Sequence, residues 1–460
     1  MFDYAQSYDY LILVHPAIVP KQLVRISHAH WHFESVTFTN NSFTLTDATY
    51  YPTVVSFHDQ RLALAGASRT PATVQLSKAG DIFNFATPGA TVLDDDRVTF
   101  TLASGKQNKI VWMVSGDGLL LGTLGDEWRV TGNDGGPITP SSILAKKQTS
   151  KGSVKRKTLL AGGTCFFLER HGHVVNSFTY NVNDNGFQTS DMRILAEHLT
   201  RDVTISDWTY QQSPSSIVWC ALSDGTLAGL TYEKEHKITG WHRHDLGGDV
   251  LALTAIPGTG TDRLWVVVQR DSRHYLELMD VITVPDTTTE VVHLDSYLTY
   301  SGVAKTVFTG LGHLEGLEVQ ILADGAIHPN KTVASGAIEL NYASGEVVIG
   351  LGYTSTVEPL IDNVSLTDGT SKGRIQRISS ASINILNSLL FEYGPDESDM
   401  ELETFRTASD PTGVVETLFS GERRVVWQGD YEVTPRIILR QSRPFPFTIL
   451  GIVNKVEVYS

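Results

Sequence analysis

Cysteine is nearly absent. Cys165 and Cys220 are the only two in 460 residues, so no disulfide framework can staple the chain, and folding in a reducing cytoplasm is the expectation. Both lie in apolar, strand-like runs and read as small buried hydrophobes. Basic charge is in deficit: 36 Lys and Arg stand against 51 Asp and Glu, a net charge of −15. An acidic surface repels phosphate, which argues against tight general binding to duplex DNA and leaves room for weak contact with DNA sliding past. No run of about 18 apolar residues occurs, so no membrane-spanning helix is expected. The start, MFDYAQSYDY, lacks the basic and apolar regions of a signal peptide. Helical periodicity is rare as well. DMRILAEHL (191–199) is the one stretch read as a short helix, with Met192, Leu195, Ala196 and Leu199 at helical spacing.

Strand-forming sequence and glycine are plentiful. With 41% hydrophobic and 19% charged residues the chain is too apolar to be disordered. Its 39 glycines suit many tight turns. The turns recur. Residues 110–122 read IVWMVSGDGLLLG and residues 217–229 read IVWCALSDGTLAG. Trp112 matches Trp219, Asp117 matches Asp224, Gly118 matches Gly225 and Gly122 matches Gly229, each pair 107 residues apart. TCFFLERHGHVVN (164–176) lies between them, with Phe166 in the tryptophan place and Gly172 as the turn glycine. RLWVVVQRDSRHYLEL (263–278) adds a copy anchored on Trp265. Two upstream segments, 8–26 and 54–66, have the same strand–turn–strand form without a clear Asp-Gly. Anchors at 12, 57, 112, 166, 219 and 265 are spaced by 45, 55, 54, 53 and 46 residues. A β-branched and aromatic run favours a strand, and Asp-Gly supplies the positive φ of a hairpin. Units of this length with several strands have the size of propeller blades. The reading is an all-β chain: a β-propeller with about six visible blade-like repeats over residues 1–285, followed by a β-rich, sandwich-like platform over 286–460. VPDTTTEVVHLDS (284–296) reads as the linker. Beyond it, strands alternate around Gly, Asn and Asp turns; Leu317, Val319 and Ile321 against Glu339 and Asn341 suggest sheets with one solvated face.

Motifs that carry chemistry are missing. There is no GxSxG, HExxH, Walker loop or spaced CxxC pair, and the chain is read as a non-enzyme with no cofactor and no metal. Histidines at i, i+2 (His28, His30 and His32; His171 and His173; His242 and His244) could place two rings on one strand face. No Cys or carboxylate completes a ligand set, so solvated or turn histidines are expected. Asp94, Asp95 and Asp96 share one loop and cannot flank a sugar from opposite sides, as glycoside hydrolysis requires. Sialidase-type propeller repeats place Ser-x-Asp-x-Gly before an aromatic, a spacing that Ser115-Gly116-Asp117-Gly118 does not have. One charge bias remains. Residues 138–168 contain Lys146, Lys147, Lys151, Lys155, Arg156 and Lys157 and no acidic residue. They read as a flexible loop, either simply solvated or touching phosphates or an acidic neighbouring subunit.

Longer strings carry a resemblance. YAQSYDYLILVHPAIVPKQLVRI, YYPTVVSFHDQRLALAGASRTPATVQLSKAGDIFNF (51–85), SDWTYQQSPSSIVWCALSDGTLAGLTYEKEHKITGWHRHDLGG (206–248) and GLGHLEGLEVQILADGAIHPNKTVASGAIEL (310–340) resemble the tail nozzle family of short-tailed bacteriophages, also called tail tubular protein B. The similarity runs along nearly the whole chain. It implies a structural virion protein, made in the bacterial host cytoplasm. Six subunits would ring the DNA exit channel at the distal end of the tail, below the adaptor, where they help attach fibres and let double-stranded DNA leave. On this reading the propellers form the tube wall, the platform joins neighbours or the adaptor, and an acidic lining keeps DNA from sticking. The chain itself inserts into no membrane. The family carries a substantial region before the YAQSYDYL segment and this sequence starts almost there, which puts closure of the propeller at issue, since a missing strand would leave an unpaired edge. The alternative is a receptor- or glycan-binding propeller at a tail tip.

Overall fold

The computed structural model describes the chain except residues 40–46, 104, 106–107, 271, 281–284, 289–290, 361–362, 406–415 and 460. It divides into two compact units, Met1–Val281 and Ile282–Ser460. Residues 284, 289 and 290 of the expected linker lie outside the described residues.

The first unit is a β-propeller of six antiparallel sheets, each a meander in chain order. The first sheet holds β1 (Asp3–Ser7), β2 (Tyr10–His15), β3 (Ile18–Ser27) and β4 (His30–Ser35). The second holds β5 (Val54–His58), β6 (Arg61–Ala65), β7 (Thr73–Leu76) and β8 (Val98–Thr101). The third holds β9 (Ile110–Gly116), β10 (Gly118–Thr123), β11 (Glu127–Thr131) and β12 (Leu144–Thr149). The fourth holds β13 (Leu159–Ala161), β14 (Thr164–Leu168), β15 (Val175–Asn181) and β16 (Gly186–Asp191). The fifth holds β17 (Ile205–Gln211), β18 (Ile217–Leu222), β19 (Leu227–Glu233) and β20 (Ile238–His244). The sixth has three strands, β21 (Asp249–Pro257), β22 (Asp262–Arg270) and β23 (Arg273–Met279).

Leading strands pack on one another, β1 on β5, β5 on β9, β13 on β17 and β17 on β21. An apolar layer fills each space between consecutive sheets. Ile12 and Val14 meet Leu62 and Leu64; Ala63 and Val74 meet Leu119 and Val130; Trp112 and Leu120 meet Phe167 and Phe178. Phe166 and Leu168 meet Val218 and Cys220, and Trp219 meets Leu264 and Val266. Both faces of the inner sheets are therefore buried, which explains apolar runs without alternation. Each buried Leu, Val or Phe contributes roughly 1.5–3 kcal/mol on this account.

The repeat anchors obey one rule with one exception. Ile12, Trp112, Phe166 and Trp219 face the next sheet in the chain. Trp265 has the equivalent direction: Leu264, Val266 and Val268 face the fifth sheet, so Trp265 points away from it and is only half-buried. Phe57 breaks the rule and packs toward the first sheet. The matched hairpins also occupy different places. IVWMVSGDGLLLG forms the first and second strands of its sheet, whereas IVWCALSDGTLAG forms the second and third.

The stretch 191–199 is not an α-helix. Asp191 continues β16 opposite Asn176, and only a 3-10 turn follows at Glu197–Leu199. Leu195, expected on the apolar face, is exposed together with Ile194, which breaks the buried stripe that would stabilise a helix.

In the second unit, β24 (Asp295–Thr309), β25 (Glu318–Ala323), β26 (Ala326–Thr332) and β27 (Ala337–Leu351) form one curled sheet around Phe308, Val319, Ile321 and Ile349. Val319 and Ile321 point inward and Glu339 and Asn341 outward, as the alternation suggests, but Leu317 lies before β25 and is exposed rather than inward. A sandwich follows. The strands Phe419–Val426, Gln376–Ser388 and Thr448–Val458 pack over the sheet containing Phe391–Asp396 and Ile438–Gln441 through Ile383, Ile385, Phe391 and Leu439.

Candidate functional site

The Asp-Gly hairpins do structural work. Gly118 and Gly225 have φ of +89° and +87°, a region costly for any side chain. Asp117 does more than turn the chain: Arg129 donates through Nε to its carbonyl at 2.8 Å and through Nη2 to its Oδ2 at 2.9 Å. Asp224 instead accepts from Thr226, backbone N–H and hydroxyl alike. In the fourth sheet, Gly172 sits in a longer loop with φ of +77° and donates to the Glu169 carbonyl.

The basic run is not one loop. Leu144–Thr149 is the outer strand β12, because Leu144, Ala145, Lys146 and Lys147 pair with Thr131, Val130, Arg129 and Trp128 of β11. Lys147 Nζ lies 2.6 Å from Asp126 Oδ1. The exposed Lys151 donates its backbone N–H to Glu127, whose fully buried carboxylate also accepts from Thr149 and Ser153. The second half folds inward onto β1. Lys155 Nζ donates to the Met1 carbonyl, Arg156 Nη1 reaches the Met1 sulfur, and Lys157 Nζ sits 3.5 Å from the centre of the Tyr4 ring. Burial pushes the Lys155 ammonium below its ordinary range, with Asp3 opposing the shift. Lys155 and Arg156 therefore serve the fold, while Lys146, Lys147, Lys151 and Lys157 remain exposed.

A cavity of about 390 Å³ opens beside the outer half, lined by Arg129, Thr131, Asp134, Lys146, Tyr180 and Asn185 among others. Tyr180 donates its hydroxyl to Asn185 Oδ1 at 2.6 Å, and the Arg129 guanidinium lies 5.4 Å from the Tyr180 ring centre. The sequence singled out Lys146 here and missed Arg129, Thr131, Asp134, Tyr180 and Asn185, which come from two other strands and two turns.

One sequence expectation changes. His242 and His244 are neither solvated nor in a turn. They stand on β20 with Nδ1 of one 2.7 Å from Nε2 of the other, and His242 Nε2 lies 3.1 Å from Thr231 Oγ1. Trp219 packs against both rings. Burial lowers both, and the neighbouring His242 adds to the fall of His244 to about 4. The aspartate triplet has a structural use: Arg61, 3% exposed, donates to the carbonyls of Asp94, Asp95 and Asp96 and of Ser77. The thiols of Cys165 and Cys220 are buried and unpaired, pushed up by desolvation. Among the described residues, no group of three or more His, Cys, Asp or Glu is placed to hold a metal ion. No helix among them is long and apolar enough to cross a membrane.

The sheets thus define an all-β protein with a propeller and a sandwich-bearing second unit. No family model and no curated protein matches the chain. Solved structures similar to it include a protein from Lactobacillus plantarum, at 15% identity and TM-score 0.36 over 60% of this chain and 83% of that one. The RRP9 WD40 repeats are similar at 12% identity and TM-score 0.35 over 58% and 72%. YCF48 bound to D1 peptide is similar at 11% identity and TM-score 0.37 over 76% and 92%.

Proposed function

We propose that this chain is a structural subunit of a bacteriophage tail nozzle, assembling into a six-membered ring around the DNA exit channel. The long strings quoted above support the family. The structural observation that carries the assembly reading is the pair of terminal sheet faces. The sixth sheet presents Trp265, Val267, Leu276 and Leu278 on one face, with Leu276 and Leu278 exposed. The first sheet presents Leu11, Leu23 and Phe33 in one register row, and Phe33 and Trp31 are exposed. Apolar surface of this kind marks contact with other protein. On this reading the ring wall is built from propellers. Docking to the adaptor and fibres uses other surfaces, and the acidic charge lets DNA pass without sticking. Catalysis has no part in it. Sedimentation of the purified chain tests the proposal: a hexamer mass supports it, and a monomer at all concentrations overturns it.

A further inference from the structure

We infer that the cavity between the third and fourth sheets binds an acidic saccharide, with the ligand carboxylate held by Lys146 and Arg129. Arg129 and Lys146 are direct register partners across β11 and β12. Strand alternation puts their side chains on the same face, together with Thr131 and Leu144. Like charges placed directly opposite destabilise a ladder. Asp117 answers only the Arg129 charge. Asp126 is taken by Lys147 on the other face, and the Glu127 carboxylate of β11 accepts from Thr149, Ser153 and the Lys151 backbone N–H. Among the described residues no carboxylate pairs with the Lys146 ammonium. The Lys146 ammonium thus stands without an ion-pair partner in the lining of a cavity, and an anion bound there would relieve the repulsion.

The remaining lining selects the kind of anion. Asp134 contributes a carboxylate to the same cavity, which would repel a multiply charged phosphate and accept hydrogen bonds from hydroxyls. Thr131 both donates and accepts. The side-chain amide of Asn185 keeps its N–H donors, since its oxygen accepts from Tyr180. One anionic group beside several hydroxyls is the pattern of a uronic acid. The volume, about 390 Å³, falls in the range of small-molecule sites, roughly 300–1,000 Å³. Next to the cavity, Gln148 Oε1 accepts from the Phe187 backbone N–H at 2.7 Å and ties β12 to the fourth sheet. Arg129 is held in place by Asp117 and by the rings of Tyr180 and Phe187. Two rigid walls and a preset guanidinium reduce the ordering cost of binding.

Calorimetric titration of the full chain with a glucuronate-containing disaccharide, its neutral glucose counterpart and inorganic phosphate tests the assignment. The acidic sugar should bind, the neutral one about tenfold more weakly or not at all, and phosphate should not compete, since a charge-assisted hydrogen bond changes affinity by about tenfold. Lys146→Met should weaken acidic-sugar binding about tenfold without lowering thermal stability, because Lys146 is exposed and its removal ends a like-charge pair. Asp134→Asn should weaken both sugars. Equal binding of the neutral sugar, effective competition by phosphate, unchanged affinity in Lys146→Met, or no binding of the acidic sugar would each overturn the inference. Oligomer mass measured on the same samples is read separately, because the assembly proposal neither needs nor supplies this site.

Discussion

Trp112 stands opposite Gly122 on the neighbouring strand, and its indole fills the space a side chain at Gly122 would need. A Cβ built on Gly122 would lie 2.0 Å from the indole Nε1. Trp112 is itself buried between the third and fourth sheets, with Phe167 5.7 Å away. The glycine is thus part of the packing between blades. Gly122→Ala should destabilise the first unit by about 1–3 kcal/mol, the usual cost of overpacking. Gly240→Ala, where nothing lies within 4 Å of the new atom, should change stability by under about 0.5 kcal/mol. Urea titrations followed by tryptophan fluorescence compare the two. Equal effects would mean that the indole moves aside freely.

Arg61 organises the loop that carries the aspartate triplet through four backbone carbonyls rather than through a side-chain ion pair. Arg61→Leu would leave the buried Ser77 carbonyl and the part-buried carbonyls of Asp94, Asp95 and Asp96 without this donor and should cost about 1–3 kcal/mol. Arg61→Lys should recover only part of this, since an ammonium cannot reproduce the planar fork. Thermal melts of the three proteins give the order wild type, Arg61→Lys, Arg61→Leu. A lysine variant as stable as wild type would contradict the fork argument.

The buried His242–His244 pair predicts acid sensitivity. Both histidines are held below their ordinary value in the folded chain, so the unfolded chain binds more protons. Stability is then fully present above about pH 6.5 and is lost as the pH falls toward about 4. A single histidine lowered from 6.5 to about 4 accounts for about 2 kcal/mol between pH 7 and pH 5. Denaturant midpoints measured across that window should fall with acidification. His242→Gln combined with His244→Gln should flatten the curve. An unchanged slope in the double variant would assign the acid response elsewhere.

The hairpins at Asp117-Gly118 and Asp224-Gly225 were legible from their residues, because Asp-Gly between β-branched runs is a local signal. Their phase within a blade was not. IVWMVSGDGLLLG and IVWCALSDGTLAG read alike, yet one begins a sheet and the other starts at its second strand. That assignment depends on which strand packs on the neighbouring sheet's leading strand, a contact dozens of residues away. The same limit explains the basic run. Lys146 and Lys147 looked like loop residues because Lys, Gln and Ser do not announce a strand, but register pairing with β11 makes one. The cavity was illegible for a third reason: Arg129, Asp134 and Tyr180 meet only once two sheets are stacked.

Whether the chain forms a six-fold ring decides the account most directly. Negative-stain images of the purified chain, classified without imposed symmetry, should show closed rings of six copies around an open centre. A population of single particles or trimers, stable across protein concentration, would contradict the nozzle reading.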